Sequence, residues 1–400
     1  MSSEIRAIEF NPYDYRFHED PYPTYARLRD EAPLYRNEEL DFWALSRHDD
    51  VLAAFRDSAR LSSANGVSLD PAAYGPNAHR TMSFLAMDDP RHMRLRLLVS
   101  QGFTPRRVQR LEDRVLELTR QHLDAALAGG EFDFIADFAG KLPMDVISEL
   151  IGVPPADRDR LRGLADVVMH REEGVLDVPP AAMTAALDLV GYYLEMLAER
   201  RRTRTEDLTS ALLDAEIDGD RLTDEEIIGF LFLMVVAGNE TTTKLLGNAV
   251  YWGWRHPDQL AKPFADPGRI PDWIEETLRY DTSSQLIART VATEVEYHGR
   301  TVPAGARLLL LLGSANRDSR VFPAADTYDI DRGQPTQLAS FGGGPHFCLG
   351  AHLARLEARV ALTELVSRVS SLDIDESRAV RVHSTNVRGF AALPVRAVTR

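Results

Sequence analysis

The chain has a single cysteine, Cys348, in the string Phe341-Gly-Gly-Gly-Pro-His-Phe-Cys-Leu-Gly350. Behind it Leu349, Leu353, Leu356 and Val360 recur at helical spacing, so a glycine-rich turn delivers the thiol to the start of an amphipathic helix. Free N–H groups and the positive end of the helix dipole favour thiolate over thiol there, and a thiolate so placed is a good metal ligand. The glycines at 342 to 344 and 350 would let a flat, bulky group approach the backbone. On these residues alone other readings stay open. One is an inert buried cysteine. Another is a phosphate cradle, weakened by the missing lysine and Ser/Thr of such loops. A third is a thiol nucleophile paired with His346, which would make the protein a colourless hydrolase.

Other segments carry chemistry at regular spacing. Thr223-Asp-Glu-Glu226 forms a capping box, and the helical pattern after it runs without proline to His256. In its middle, Ala237-Gly-Asn-Glu-Thr-Thr242 places an acid, Glu240, next to an alcohol, Thr241, among poor helix formers. The plain alternative is that Thr241 bonds back to the carbonyl four residues earlier and bends the helix. Glu276 and Arg279 are three apart and can pair on one face, which at a surface is worth little. Asp89-Pro90 opens a helix whose His92 and Arg96 share a face.

Positioning these groups falls to a helix-dominated chain. The pattern predicts helices over Tyr22–Asp30 and Asp49–Arg56, then mostly helix from Pro90 to Asp214, with breaks at Gly129-Gly130, Gly152–Pro155 and Pro179-Pro180. Strands are predicted within Pro33–Ser46, within Gln285–Leu312 with a hairpin at His298-Gly299-Arg300, and over Val380–Val398. The predicted fold class is therefore mainly α with a small β-rich region (α+β), in one domain spanning 1–400 without linker or repeat. With 46 basic against 61 acidic residues, a formal net charge of −15, nucleic acid is not expected as a partner. The apolar runs are too short for a membrane anchor and the amino terminus lacks an export pattern, which predicts a cytoplasmic protein. One cysteine excludes an intramolecular disulfide and a thiolate-rich zinc site.

The string Phe-x-x-Gly-x-His-x-Cys-x-Gly resembles the haem-binding signature of the cytochrome P-450 family, in which a thiolate ligates haem iron. The other segments match that family in order. The resemblance implies its triangular fold, with haem b between the long central helix and the cysteine-loop helix. Cys348 would be the axial iron ligand. Phe341, Gly342, Gly344, His346 and Gly350 would contact the haem, and His92, Arg96, Arg289 and His346 would hold its propionates. Glu240 and Thr241 would deliver protons during oxygen activation, with Glu in place of the commoner Asp. Glu276 and Arg279 become a buried structural pair anchoring Phe322–Arg332. The implied reaction transfers one atom of dioxygen to a lipophilic small molecule, by hydroxylation or epoxidation, in a monomer fed by an external ferredoxin and ferredoxin reductase. Arg106, Arg107, Arg110 and Arg355 are candidates for the face that meets the carrier. Substrate contacts would come from Met82, Phe84, Leu85, Leu233, Val236, Ala237, Leu286, Ile287 and Val387. The rival readings are a haem-thiolate peroxygenase and a non-catalytic haem-binding protein, neither of which needs the acid-alcohol pair.

Overall fold

The computed structural model describes residues 8–400 apart from 101, 102, 104, 171, 173, 174 and 334–336. Arg106, Arg107 and Arg110 belong to the helix Pro105–Leu127, but their side chains lie outside the described residues.

The central helix, Asp224–Arg255, has 32 residues. Thr223 Oγ1 accepts from the Glu226 N–H at 3.2 Å and Glu226 Oε2 accepts from the Thr223 N–H at 2.9 Å, so the capping box closes as the sequence predicts. His256 leaves helical geometry directly before Pro257, which cannot continue the ladder. Phe230, Leu231, Val235, Leu246 and Ala249 are buried around its circumference, the pattern of a helix that runs through a core. Helices Lys141–Ile151, Pro155–Met169, Pro180–Arg202, Ile270–Tyr280 and Ala351–Arg368 pack around it. The predicted breaks fall between these helices. Gly152 closes Lys141–Ile151 at φ +89°, where a Cβ would stand 2.1 Å from Asp207 Oδ2.

The main sheet has five strands in the order Leu34–Asn37, Phe42–Leu45, Arg307–Leu311, Leu286–Val291, Leu61–Ser62. Arg307–Leu311 runs parallel to Phe42–Leu45 and antiparallel to Leu286–Val291, joining the two ends of the sequence. Along Leu286–Val291 the faces alternate. Leu286 and Ala288 pack with Phe10, Tyr25 and Leu28, while Ile287 and Arg289 turn to the opposite side. The hairpin Val295–Tyr297/Arg300–Val302 turns at His298 (φ 52°) and Gly299 (φ 71°), as predicted.

Two elements depart from expectation. A second sheet of Val369–Ile374, Pro394–Thr399 and Glu131–Asp133 recruits short strands that no local pattern marks, because pairing with Pro394–Thr399 stabilises them. The predicted strand over Val380–Val398 is three pieces, Val380–Arg381, Phe390–Ala392 and Pro394–Thr399. The loop between the first two carries Arg388 inward to a buried carboxylate, Asp281, which accepts from Arg388 Nε at 2.7 Å.

Candidate active site

The cysteine loop is held from below by side chains. Asn316 Oδ1 accepts from the Ala339 N–H at 2.8 Å, Asn316 Nδ2 donates to Ser340 Oγ at 2.8 Å, and Ser340 Oγ donates to Leu278 O at 2.7 Å. The Cys348 N–H closes the loop by donating to Phe341 O at 3.0 Å. Gly342 and Gly344 take φ +68° and +61°. A Cβ on Gly344 would lie 2.5 Å from Phe55 O, so what this glycine admits is the backbone of helix His48–Arg56. It does not line the cavity beside the loop. Phe341, Gly342, His346, Cys348 and Gly350 do line it.

The cavity is lined mainly by apolar side chains from the cysteine loop, the central helix and the strand Leu286–Val291. The Cys348 side chain has accessible surface, and that surface opens into this space. Burial pushes its thiol pKa up, against the lowering effect of the Gly350 and Ala351 N–H groups, Arg96 and Arg355. The sequence expectation of a depressed pKa is thus reversed in the protein alone, because desolvation outweighs the helix end. A coordinated cation would restore the thiolate, since coordination deprotonates a thiol.

The opposite wall is the central helix. Phe230, Leu233, Met234, Ala237, Gly238, Thr241, Thr242 and Leu245 line the cavity at i, i+3/i+4 spacing. Thr241 Oγ1 donates to Ala237 O at 2.9 Å, the back-bond of the plain alternative, while the residue still faces the cavity. Glu240 does not line it. Its carboxylate pairs with Lys244 Nζ at 3.1 Å in a buried i, i+4 bridge. On the other side it meets Asp166 of Pro155–Met169, whose own surface is partly open to water. Burial first, then the charge and hydrogen bond of Glu240, push Asp166 up to about 7, against Lys244 and Arg162. Neighbours in sequence therefore face different compartments.

Beside the loop, two arginines and two imidazoles converge, with Asp89 the carboxylate within reach of His92. The His92 and His346 rings lie tilted against each other with centroids 4.1 Å apart. Arg96 Nη2 donates to Phe347 O at 2.7 Å, and the buried Arg289 donates to Ala288 O at 2.9 Å. His92 Nε2, Arg96 Nη1 and His346 Nδ1 are buried without partners. Among the described residues no ion pair forms at Arg96, Arg289 or His346, and His92 approaches only Asp89, at 3.3 Å. Burial holds Arg289 down at about 10. It also holds His346 down at about 3, helped by Arg289, His92 and Arg96. These groups await an anion.

The cytochrome P-450 family model matches residues 271–396. A Mycobacterium tuberculosis protein described as "Putative cytochrome P450 123" is 65% identical over 388 residues, covering 97% of this chain and 96% of that protein. The chain belongs to the cytochrome P-450 family. A second relative, the vitamin D(3) 25-hydroxylase of Pseudonocardia autotrophica, is 39% identical over 388 residues, with 95% and 94% covered. The crystal structure of a Bacillus megaterium cytochrome P-450 in complex with corticosterone superposes with a TM-score of 0.84 at 30% identity, covering 95% of this chain and 99% of that one. The mainly α fold with its small β region is that of the family, and as an enzyme this chain is a cytochrome P-450 monooxygenase.

The family's haem iron fits what these residues leave open. A haem carries two carboxylates, and the P-450 site offers unpartnered nitrogens of Arg96, His92 and His346 together with the Arg289 guanidinium beside the loop, plus a lone thiol lining the cavity. Of the expected substrate contacts, Phe84, Leu85, Leu233, Ala237 and Ile287 line the cavity. Met82, Val236, Leu286 and Val387 do not. Val236 lies off the i, i+3/i+4 stripe, Leu286 sits on the reverse face of its strand, Met82 packs near Gly66, and Val387 bridges to Ser284. Arg355 is engaged with Glu275 at 2.5 Å and lies over the Phe341 ring, so it is not the free surface charge expected for a carrier face. Sequence reasoning missed Met234, Phe230 and Leu245, which the helical stripe through Leu233 and Thr241 could have supplied. It also missed Asp166, which only the packing of two helices reveals.

Proposed function

We propose that this protein is a haem-thiolate monooxygenase that hydroxylates or epoxidises a lipophilic small molecule, using haem b and electrons from an external ferredoxin and ferredoxin reductase. The observation that carries the reading is one cavity lined by both Cys348 and Thr241, with two arginines and two imidazoles gathered beside the cysteine loop. When bound, the haem iron supplies the activation of dioxygen, one atom of which goes to substrate and the other to water. Cys348 Sγ is its ligand, steadied by the N–H groups of Gly350 and Ala351. Arg96, Arg289, His92 and His346 hold the propionates by charge-assisted hydrogen bonds. Phe84, Leu85, Leu233, Ala237 and Ile287 orient an apolar substrate and exclude water.

The chain's own groups can handle protons on both sides of the central helix. Asp166, open to solvent and titrating near neutrality, can pass a proton to Glu240, and Thr241 Oγ1 can present one to the cavity once its bond to Ala237 O is released. A peroxygenase or non-catalytic haem protein would have no use for this relay. The lipophilic class is supported by the apolar lining and by relatives described with vitamin D(3) and corticosterone. Cavity residues from Phe55 to Glu357 support one working unit across 1–400. No helix of the described residues is long and apolar enough to cross a membrane. We place the enzyme in the cytoplasm as a monomer.

The test is the reduced carbon-monoxide difference spectrum of the holoprotein. A red-shifted Soret band of thiolate ligation is expected, and Cys348→Ser should abolish it. A holoprotein without that band sinks the assignment of Cys348, and a colourless protein returns the field to the Cys348/His346 hydrolase.

A further inference from the structure

The helix that leaves the cysteine loop carries a carboxyl group that none of these roles uses. Gly350, Leu353, Ala354 and Glu357 follow one another at helical spacing and all line the cavity, which puts Glu357 on the cavity face about two turns beyond the loop. Glu357 is 1% exposed, and its Oε2 has no hydrogen-bond partner. A buried, unpaired acid of this kind is held in its neutral form by the cost of desolvating its anion. Burial alone pushes it up to about 8.

No neighbouring charge counters that. Helix Ala351–Arg368 packs against Pro105–Leu127, Asp224–Arg255, Pro257–Ala265, Ile270–Tyr280 and Val369–Ile374. Among the described residues, the charges at these contacts are engaged elsewhere. Glu275 pairs with Arg355, Glu276 with Arg279, Glu112 with Arg359, Glu364 with Arg120, and Asp124 with Arg368. Lys244 pairs with Glu240, Lys262 with Asp331, and Asp373 accepts from Trp254. The positive groups at the loop, His92, Arg96, Arg289 and His346, do not shift Glu357 either.

We propose that Glu357 is the redox-linked proton acceptor of this site: where alkaline pH has ionised it, it takes up a proton when haem iron held at Cys348 accepts an electron. The proposal rests on the haem-thiolate reading above. An electron added to a cavity of low dielectric raises the proton affinity of an uncompensated acid in its wall. The balance is simple: one electron arrives from an external one-electron carrier, and one solvent water transfers a proton to the Glu357 carboxylate, its O–H bond breaking as the carboxyl O–H forms and hydroxide returning to the bulk. The charge within the cavity is the same before and after.

The experiment is a spectroelectrochemical titration of the holoenzyme from about pH 6 to about pH 10. Below the titration of Glu357 in the oxidised protein the acid is protonated in both states, and the potential is flat. Above it, reduction takes up a proton and the potential falls as pH rises, by at most about 59 mV per tenfold change in proton concentration. Glu357→Gln should give a flat profile while keeping the red-shifted carbon-monoxide band. A flat wild-type profile, or a slope that survives in Glu357→Gln, overturns the proposal. Should that variant fail to hold haem, redox-difference infrared spectra of the wild type near the titration midpoint decide. A protonated-carboxyl band that grows on reduction and shifts in heavy water is expected, and its absence overturns the assignment. Loss of the thiolate band in wild-type holoprotein would instead overturn the site reading and this proposal together.

Discussion

Glu240 and Thr241 stand side by side in sequence but about 100° apart around the central helix, as the helical repeat requires. Thr241 therefore faces the cavity and Glu240 the buried bridge with Lys244. Removing the Thr241 hydroxyl leaves the proton supply behind it intact but takes away the last donor. Thr241→Ala is expected to lower product formed per electron consumed by on the order of 10²-fold, with reduced oxygen released instead, while Thr241→Ser keeps most of the coupling. The measurement is the ratio of product to reduced carrier oxidised; an unchanged ratio would remove Thr241 from the relay. The residue types and their spacing could be read directly from the chain. Which way each side chain turned could not, because one helical stripe meets empty space and the next meets Pro155–Met169.

At the scale of elements, the Glu276–Arg279 pair joins the helix Ile270–Tyr280 to the segment leading into the cysteine loop. Both side chains are 0% exposed. Arg279 donates bidentately to Glu276 at 2.7 and 2.8 Å and to the carbonyls of Asn316, Ala325 and Thr327. Glu276 Oε1 also accepts from the Asp329 N–H at 2.9 Å. The pair is thus fully hydrogen-bonded, and deleting either partner strands a buried charge. Glu276→Ala or Arg279→Ala is expected to cost about 3–5 kcal/mol in denaturant unfolding of the holoprotein and to loosen haem retention. Arg279→Lys should not rescue, since an ammonium cannot reproduce the fork. A loss below about 1 kcal/mol would mean that the pair behaves as an exposed one. The i, i+3 spacing announces the pair; its depth comes from Phe322–Arg332 lying over it, a contact some fifty residues away in the chain. The three-residue strand Glu131–Asp133 was hidden for a related reason, since its partner lies at the far end of the sequence.

Across the whole molecule, Asp281 ties three distant regions together. It accepts from Tyr22 OH at 2.6 Å, Arg388 Nε at 2.7 Å and Trp252 Nε1 at 2.8 Å, with Arg381 Nη1 at 3.5 Å. Burial works to raise its pKa, but Arg388, then Arg381 and the hydrogen bonds from Tyr22 and Trp252, outweigh it and hold the carboxyl at about 2. A depressed folded pKa stabilises the protein above the ordinary carboxylate range, and that contribution is lost as pH falls from about 4 through about 2. The loss amounts to roughly 2 kcal/mol. Asp281→Asn is expected to unfold more readily at neutral pH and to lack this part of the acid-induced loss. Denaturation midpoints for both proteins across the acid range check it; parallel curves would show that Asp281 is not the group titrating.

The sequence by itself determined the helix-dominated class, the capped central helix, the glycine-rich turn at Cys348 and the family, because each rests on local patterns of hydrophobicity, turn chemistry and motif. Only the tertiary structure decided that four cationic or imidazole groups gather beside the cysteine loop, that Glu240 turns toward Asp166, and that Glu357 is buried unpaired beside the cavity. Those are facts about which surfaces exclude water from which charges, and desolvation is set by whatever packs against a residue from elsewhere in the chain.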